Sequence, residues 1–135
     1  MSRQATLLIA DEIFYNLVGK ATIQGVYQSD LVIPAEESTV SQLLFYFQME
    51  TDIEDAFQSL SVEVTLPGND PVRHGVPVIW PISGEEGRRL FYKHPMLIQN
   101  PTLRRGRIEA KVIHESGEIV VGTPHIAVVS AQKTS

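Results

Sequence analysis

The chain has 135 residues, of which 43% are hydrophobic and 20% charged, and this length and composition predict one globular domain over residues 1–135. It contains no cysteine, which excludes disulfides, thiol catalysis and thiolate metal sites. The net charge of −5 argues against a protein that binds duplex nucleic acid by neutralising its phosphates.

The N-terminal segment "MSRQATLLIADE" has an apolar run only over residues 5–10. Such a run is shorter than the core of a signal peptide and much shorter than a membrane span. The sequence therefore predicts a protein that binds no membrane and resides in the cytoplasm.

The stretch "LVGKATIQGVYQ", residues 17–28, contains a Gly-Lys pair of the kind found in phosphate-binding loops. That motif needs a glycine five residues before the pair and a hydroxyl residue directly after the lysine. A phenylalanine and an alanine stand there, so we interpret the stretch as a turn followed by a strand over residues 21–27. Gly25 inside this strand predicts a bulge or a close neighbour, such as an aromatic ring.

The segments "SQLLFYFQMET" and "LSVEVTL" alternate apolar with polar residues and so predict two β-strands. The alternating apolar positions are Leu43, Phe45, Phe47 and Met49 in the first segment and Leu60, Val62, Val64 and Leu66 in the second. The first segment also fits helical spacing, but its aromatic content favours a strand.

Between these strands, "TDIEDAFQS" predicts one short helix near residues 52–59. Thr51 and Glu54 form a capping-box pattern, and Ile53 and Phe57 recur at helical spacing. The acidic residues of this region fit either half of a calcium site or a helix N-terminus that attracts negative charge. The second interpretation is simpler, and we predict no metal. The acidic residues are Glu50, Asp52, Glu54 and Asp55.

Six of the eight prolines lie within residues 67–101, which excludes a run of central strands there. We expect short edge strands, "VPVIW" and "RLFYK", joined by loops. Further on, "RIEAKVIHESGEIVVG" predicts a hairpin that turns at residues 115–117, with Ile108, Ala110 and Val112 facing inward. The segment "HIAVVS" predicts the last strand.

Short strands separated by turns about every ten residues predict an all-β fold, an antiparallel two-sheet β-sandwich of immunoglobulin-like type. A small β-barrel is the alternative.

Charge is divided unequally along the chain. Residues 1–67 carry two basic and ten acidic side chains, giving −8, whereas residues 68–135 carry nine basic and six acidic side chains, giving +3. The simpler interpretation is that strands from both halves interleave and their charges mix. The alternative is a bipolar particle that associates with itself.

Two sets of residues are candidates for binding. The first is an anion site that would use the arginines Arg88, Arg89, Arg104, Arg105 and Arg107. The second is an aromatic patch of Trp80, Phe91 and Tyr92 on the predicted edge strands. Each set also has a purely structural interpretation, the arginines facing acidic residues and the aromatics filling the core.

The remaining signals nominate no catalytic residue. The histidines His74, His94, His114 and His125 do not have metal-ligand spacing, and no serine lies in a nucleophile motif. We therefore predict no catalytic, cofactor or metal site.

The order of these signals resembles a bacterial family of small β-sandwich proteins that contain a domain of unknown function. The matching segments are "LLIADE", "GKATIQGVY", "LVIP" and the closing hairpin "RGRIEAKVIHESGEIV", with residues 67–101 the poorest match. The resemblance implies no known catalytic residue, cofactor or substrate.

The sequence thus favours a non-enzymatic module that binds another protein, or itself, through an exposed sheet face or edge. The alternative is a small-molecule or anion-binding protein, an enzyme included, whose pocket is lined by Arg88, Arg89, Arg104, Arg105 and a histidine.

Overall fold

A computed structural model describes residues 3–18, 20–80 and 86–129. Within these residues the chain forms fourteen β-strands and one short 3₁₀ turn, Ile53–Asp55. The strands are β1 (Gln4–Ala10), β2 (Glu12–Tyr15), β3 (Ala21–Gln24), β4 (Leu31–Ile33), β5 (Glu37–Thr39), β6 (Gln42–Asp52), β7 (Leu60–Thr65), β8 (Val72–Gly75), β9 (Arg89–Gln99), β10 (Thr102–Arg104), β11 (Gly106–Arg107), β12 (Glu109–His114), β13 (Gly117–Val120) and β14 (His125–Val128).

Two antiparallel sheets face each other across one core. The front sheet has the order β1–β6–β9 and the back sheet the order β13–β12–β7–β8. Smaller sheets, β11–β14–β4 and β10–β5, complete the sandwich, and none of the described sheets closes into a barrel. The predicted immunoglobulin-like β-sandwich is therefore confirmed.

Strand β6 is the centre of the front sheet and confirms the strand interpretation of "SQLLFYFQMET". It pairs with β1 on one side and with β9 on the other. Leu43, Phe45, Phe47 and Met49 point into the main core, as their alternation predicted. The opposite face of β6 is buried as well, because Leu44 and Tyr46 form a second apolar cluster on the outside of the sheet.

The back sheet contains the predicted strand "LSVEVTL" and the predicted hairpin. In β7, Leu60, Val62 and Val64 are buried and the residues between them are half-buried. In the hairpin β12–β13, Ile113 lies opposite Glu118, and His114 opposite Gly117. Period-two alternation of this kind buries one face of each strand and fixes its register.

One strand pair departs from the antiparallel prediction. Strand β14 runs parallel to β4, with Ile126 opposite Leu31 and Val128 opposite Ile33. A parallel pair needs a long crossover connection, and here residues 34–124, which include β5–β13, lie between the two strands. Alternation within a strand does not encode which strand lies beside it, so this pairing could not be predicted.

The helix predicted near residues 52–59 is wrong except for the single 3₁₀ turn. The hydroxyl of Thr51 donates to the carbonyl of Asp55 at 3.0 Å, and Asp52 makes no side-chain capping bond. Ala56 then returns to extended backbone, with ψ at 144°. Ile53 and Phe57 are buried, so their spacing reflects a compact connection between β6 and β7 rather than a helix.

The proline-rich middle contains one of its two predicted edge strands. Residues 76–80, "VPVIW", are not a strand, since Pro77 cannot donate a ladder hydrogen bond and only the amide of Val76 reaches Leu60 O, at 2.9 Å. The segment "RLFYK" begins β9, which lies at an edge of the front sheet and tolerates Pro95 there. Within the described residues, no helix is long and apolar enough to cross a membrane.

Candidate functional site

The hairpin β2–β3 is an addition to the outer face of the front sheet. At its base, Ile13 and Ile23 pack on the second apolar cluster, which consists of Ala10, Leu44 and Tyr46. This packing covers apolar surface of β6 that would otherwise face water. Towards the turn the hairpin leaves the sheet, and residues 14–18 and 20–22 are all exposed. The distal half of the hairpin therefore projects from the sandwich.

The tip of this hairpin is an ordered turn that presents two apolar side chains. The Asn16 carboxamide oxygen accepts hydrogen bonds from the amides of Val18, at 3.0 Å, and Lys20, at 2.8 Å. The Asn16 amide donates to Lys20 O at 2.9 Å. Leu17 is fully exposed and Val18 is 78% exposed, with Phe14 and Tyr15 also exposed beside them. An apolar group of this kind marks an interaction site more often than scattered single residues do.

The direction of the hairpin is fixed at Asp11, the bend between β1 and β2. The Asp11 amide donates to Gln24 O at 3.1 Å, and its carbonyl accepts from Nε2 of Gln42 at 2.9 Å. The Tyr27 hydroxyl donates to the Asp11 carboxylate at 3.1 Å. Burial raises the pKa of Tyr27, and the nearby Asp11 carboxylate raises it further, so the phenol keeps its proton. These bonds hold the hairpin at one angle to the front sheet.

Gly25 directly follows the hairpin, and its position differs from the prediction that it lies inside a strand. Strand β3 ends at Gln24, so Gly25 is not inside a strand, and its φ of 74° lies in the left-handed region that favours glycine. The close neighbour that the glycine predicted is present, but it is the Asp11 carboxylate and not an aromatic ring. Lys20 is exposed at the hairpin turn, whereas Gly19 lies outside the described residues.

The predicted aromatic patch is divided by the pleat of β9. Phe91 is 61% exposed and points outward, whereas Tyr92 is 4% exposed and points into the core. Including Tyr92 in the patch was therefore wrong, because successive side chains of a strand face opposite sides. The Tyr92 ring meets Phe57 edge-on, with centroids 5.3 Å apart. Trp80 is 72% exposed.

Phe91 borders a shallow groove of about 300 Å³ on the outer face of the front sheet. Apart from Phe91, the outward side chains that line it are polar, so this part of the face lacks the apolar character of the hairpin tip. They are Gln4, Thr6, Gln48, Glu50 and Lys93.

The five arginines do not form one anion site. Arg89 binds Asp52 at 2.7 Å and Glu50 at 3.3 Å. Arg104 binds Glu37 at 3.2 Å and, on the surface, Arg105 binds Glu36 at 2.8 Å. The acidic first half of the chain thus neutralises arginines of the second half, as the interleaved interpretation of the charges requires. The other two arginines of the set, Arg88 and Arg107, lie elsewhere.

Arg88 is exposed just before β9, and its carbonyl accepts from the Ile53 amide at 2.9 Å. Arg107 lines a different groove, of about 540 Å³, on the back sheet. The carboxylates of Glu63, Glu109 and Glu118 also line that groove, so it does not suit an anion. The described residues contain no cluster of three or more His, Asp or Glu side chains able to hold a metal ion.

Two histidines that sequence spacing did not pair are in contact. Nδ1 of His74 on β8 and Nε2 of His94 on β9 are 3.0 Å apart, with their rings perpendicular. His74 lies opposite Val62 and His94 opposite Phe47, which are core-facing positions of the two sheets. The spacing of twenty residues between the two histidines did not indicate this contact. Their inward positions on β8 and β9 do. Burial lowers the pKa of His94, and the charge of His74 lowers it further.

Arg3 is a partly buried cation that sequence reasoning did not single out. Its guanidinium donates to the carbonyls of Asp55 and Ala56, both at 3.1 Å, and lies 4.6 Å from the centre of the Phe57 ring. It also forms an ion pair with Glu115 at 2.5 Å. The side chain is only 13% exposed, so these contacts satisfy a charge that water cannot reach easily. Arg3 ties β1 to the 3₁₀ turn and to the β12–β13 hairpin.

Glu115 is the acidic partner of Arg3 in this network. Besides Arg3, it accepts hydrogen bonds from the amides of Gln58, at 2.9 Å, and Ser59, at 3.3 Å. Burial alone raises the pKa of a carboxyl, but these bonds outweigh it and lower the pKa of Glu115 from 4.5 to about 2. Arg3 and Glu115 bind each other, and both bind backbone groups of residues 55–59, so the network joins these segments.

Comparisons with protein-family models and with curated proteins found no match to this chain. The resemblance to a bacterial β-sandwich family therefore stays a prediction.

Proposed function

We propose that this protein is a non-enzymatic binding module that docks onto another protein through the tip of the hairpin β2–β3. The observation that carries this proposal is the exposure of Leu17 and Val18 on a turn that Asn16 holds in place. We propose that the module acts in the cytoplasm.

A rigid apolar tip is well suited to serve as an anchor. Burying one leucine or valine side chain contributes about 1.5–3 kcal/mol, so the two together supply on the order of 10²–10⁴ in affinity. Because the turn is already ordered, little conformational entropy is lost when it binds. Phe14 and Tyr15 add apolar area around the anchor.

The partner that fits this tip is a protein with a concave apolar pocket rather than a second copy of the chain. Two convex tips that meet each other bury only four side chains, far below the roughly 1,200 Å² of a stable interface. A pocket encloses the same side chains completely. The competing anion-binding function receives no comparable support, since Arg89, Arg104 and Arg105 have acidic partners.

The proposal is tested by placing a photo-activatable amino acid at position 17 in the native host. The matched control is position 120, where Val120 is 78% exposed on the opposite sheet. We expect a defined adduct with another protein from position 17 and not from position 120. Adducts that are the same from both positions, or no adduct from position 17, would contradict the proposal.

A second measurement compares the affinities of variants of this protein for the purified partner that the adduct identifies. The double variant Leu17→Ser/Val18→Ser should lose about 10²-fold or more in affinity for that partner, whereas Val120→Ser should bind like the wild type. Sedimentation of the protein alone tests whether the tip binds a second copy of the chain instead. A dimer that the double variant abolishes would show that it does, and would contradict the proposed partner.

A further inference from the structure

Strands β8 and β9 belong to different sheets and yet meet at one edge of the sandwich. β8 is the last strand of the back sheet and β9 the last strand of the front sheet. The contact between His74 and His94 links them, with 3.0 Å between the two ring nitrogens. Both side chains point inward, so the pair spans the gap between the sheets at this edge.

The surroundings of the pair hold no described carboxylate that would compensate a positive charge. The inward neighbours on β8 and β9 are Val72, Val76, Tyr92 and Met96, and the residues opposite are Val62 and Phe47. None of these is charged between pH 5 and pH 8. The charged groups nearest along the strands face outward, Arg73 towards Glu63 and Lys93 into the groove on the front sheet.

The chemistry of the contact sets a limit on how many protons it holds. An N–H···N bond between two imidazoles needs a lone pair on one of them. One additional proton can be held by the pair, but a second one places two positive charges about 3 Å apart with no lone pair left between them. The bond then becomes a repulsion between the two sheets.

We infer that His74 and His94 form a proton-sensitive latch that holds β8 and the following residues 76–80 on the sandwich and releases them as the pH falls from about 7 to about 5. Besides this contact, the described attachments of the segment are its pairing with β7, one backbone bond, and the packing of Val76 and Val78 on the core. β8 has four residues and pairs only with β7 among the described strands, and Val76 adds one backbone bond to Leu60. Its release uncovers the core beneath Val76.

The direction of the effect follows from the lowered pKa of His94, which burial and then the His74 charge produce. Between that lowered value and the ordinary value of about 6.5, the unfolded chain binds more protons than the folded one. Stability is therefore complete above the ordinary value and is lost as the pH falls through it. The opening of β8 responds in the same direction.

The latch is tested by amide hydrogen exchange in the presence of a chelator. In the wild type, protection of the Val76 amide should fall several-fold between pH 7.5 and pH 5.5, after correction for the intrinsic exchange rate. The double variant His74→Asn/His94→Gln keeps polar groups that do not titrate and should lose this pH dependence. The control variant His125→Gln, altered at an exposed histidine, should keep it. Equal protection at both pH values in the wild type, or a dependence that persists in the double variant, would overturn the inference.

A measurement on the wild type alone covers the case in which the double variant does not fold. Proton NMR resolves the ring signals of the four histidines. We expect the ring signal of His94 to titrate below the ordinary histidine value of about 6.5, and the His74 signal to respond to the same protonation. A titration of His94 at the ordinary histidine value, with no response of the His74 signal, would exclude the latch.

Discussion

Gly25 lies so close to the carboxylate of Asp11 that a Cβ atom on residue 25 would overlap Oδ2. Its backbone is also in the left-handed region, with φ at 74°. We therefore expect Gly25→Ala to lower the free energy of unfolding by about 2–4 kcal/mol, because strain and steric overlap add. Urea denaturation measures the change. Gly122→Ala is the control, since nothing lies within 4 Å of its Cβ position, and a similar loss there would refute the steric argument.

Arg3→Ala should destabilise the protein by about 2–4 kcal/mol, because it removes the cation that pairs with Glu115 and leaves the carbonyls of Asp55 and Ala56 without this donor. The matched control is Arg105→Ala. Arg105 and Glu36 are 61% and 72% exposed, so loss of that ion pair should cost less than about 0.5 kcal/mol. Thermal or urea unfolding at pH 7 distinguishes the two, and equal losses would show that Arg3 is no more than a surface charge.

Glu115 should govern part of the loss of stability in acid. Its folded pKa of about 2 lies below the ordinary 4.5, so its contribution is complete above 4.5 and disappears as the pH falls towards 2. Glu115→Gln should lower stability at pH 7 and flatten the profile of unfolding free energy between pH 5 and pH 2. A profile parallel to that of the wild type would assign the acid sensitivity to other carboxylates.

Tyr92→Phe should be neutral or stabilise by up to about 1 kcal/mol. The Tyr92 hydroxyl is buried, and among the described residues it has no hydrogen-bond partner, although backbone groups of Ile79 and Phe57 lie nearby. Tyr27→Phe provides the contrast, because it removes the hydroxyl that donates to Asp11 and should cost about 0.5–1.5 kcal/mol. A clear loss in Tyr92→Phe would reveal a partner for that hydroxyl.

The sequence predicted those parts of the fold in which one strand carries its own signal. The strands β6 and β7 and the hairpin β12–β13 have alternating patterns, and these patterns alone determine which face is buried. The pattern over residues 52–59 misled because a compact connection that buries Ile53 and Phe57 repeats the spacing of a helix. The parallel partner of β14 was not predictable, since no feature of either strand specifies its neighbour.

The candidate site also combines features that have a local sequence signal with contacts that have none. Alternation along β9 already implied that Phe91 and Tyr92 face opposite sides, so their grouping in one patch was avoidable. The contacts of Arg3 with Glu115 and of His74 with His94 join distant segments, and only the packing of the sheets reveals them. The exposed tip had a local signal, since the apolar residues Leu17 and Val18 directly precede the Gly-Lys pair in the sequence. That signal could be interpreted only once the structure showed that the hairpin projects from the sheet.

The parallel pairing of β4 with β14 determines when the domain can finish folding during synthesis. Residues 31–33 leave the ribosome long before residues 126–128, the partners they require. Until then one edge of β4 stays unpaired in the nascent chain. Leu31 and Ile33, which are buried in the complete fold, are then only partly buried. Contacts this distant in sequence raise the contact order and slow folding. We therefore expect nascent chains that stop before residue 125 to be the species most in need of a chaperone.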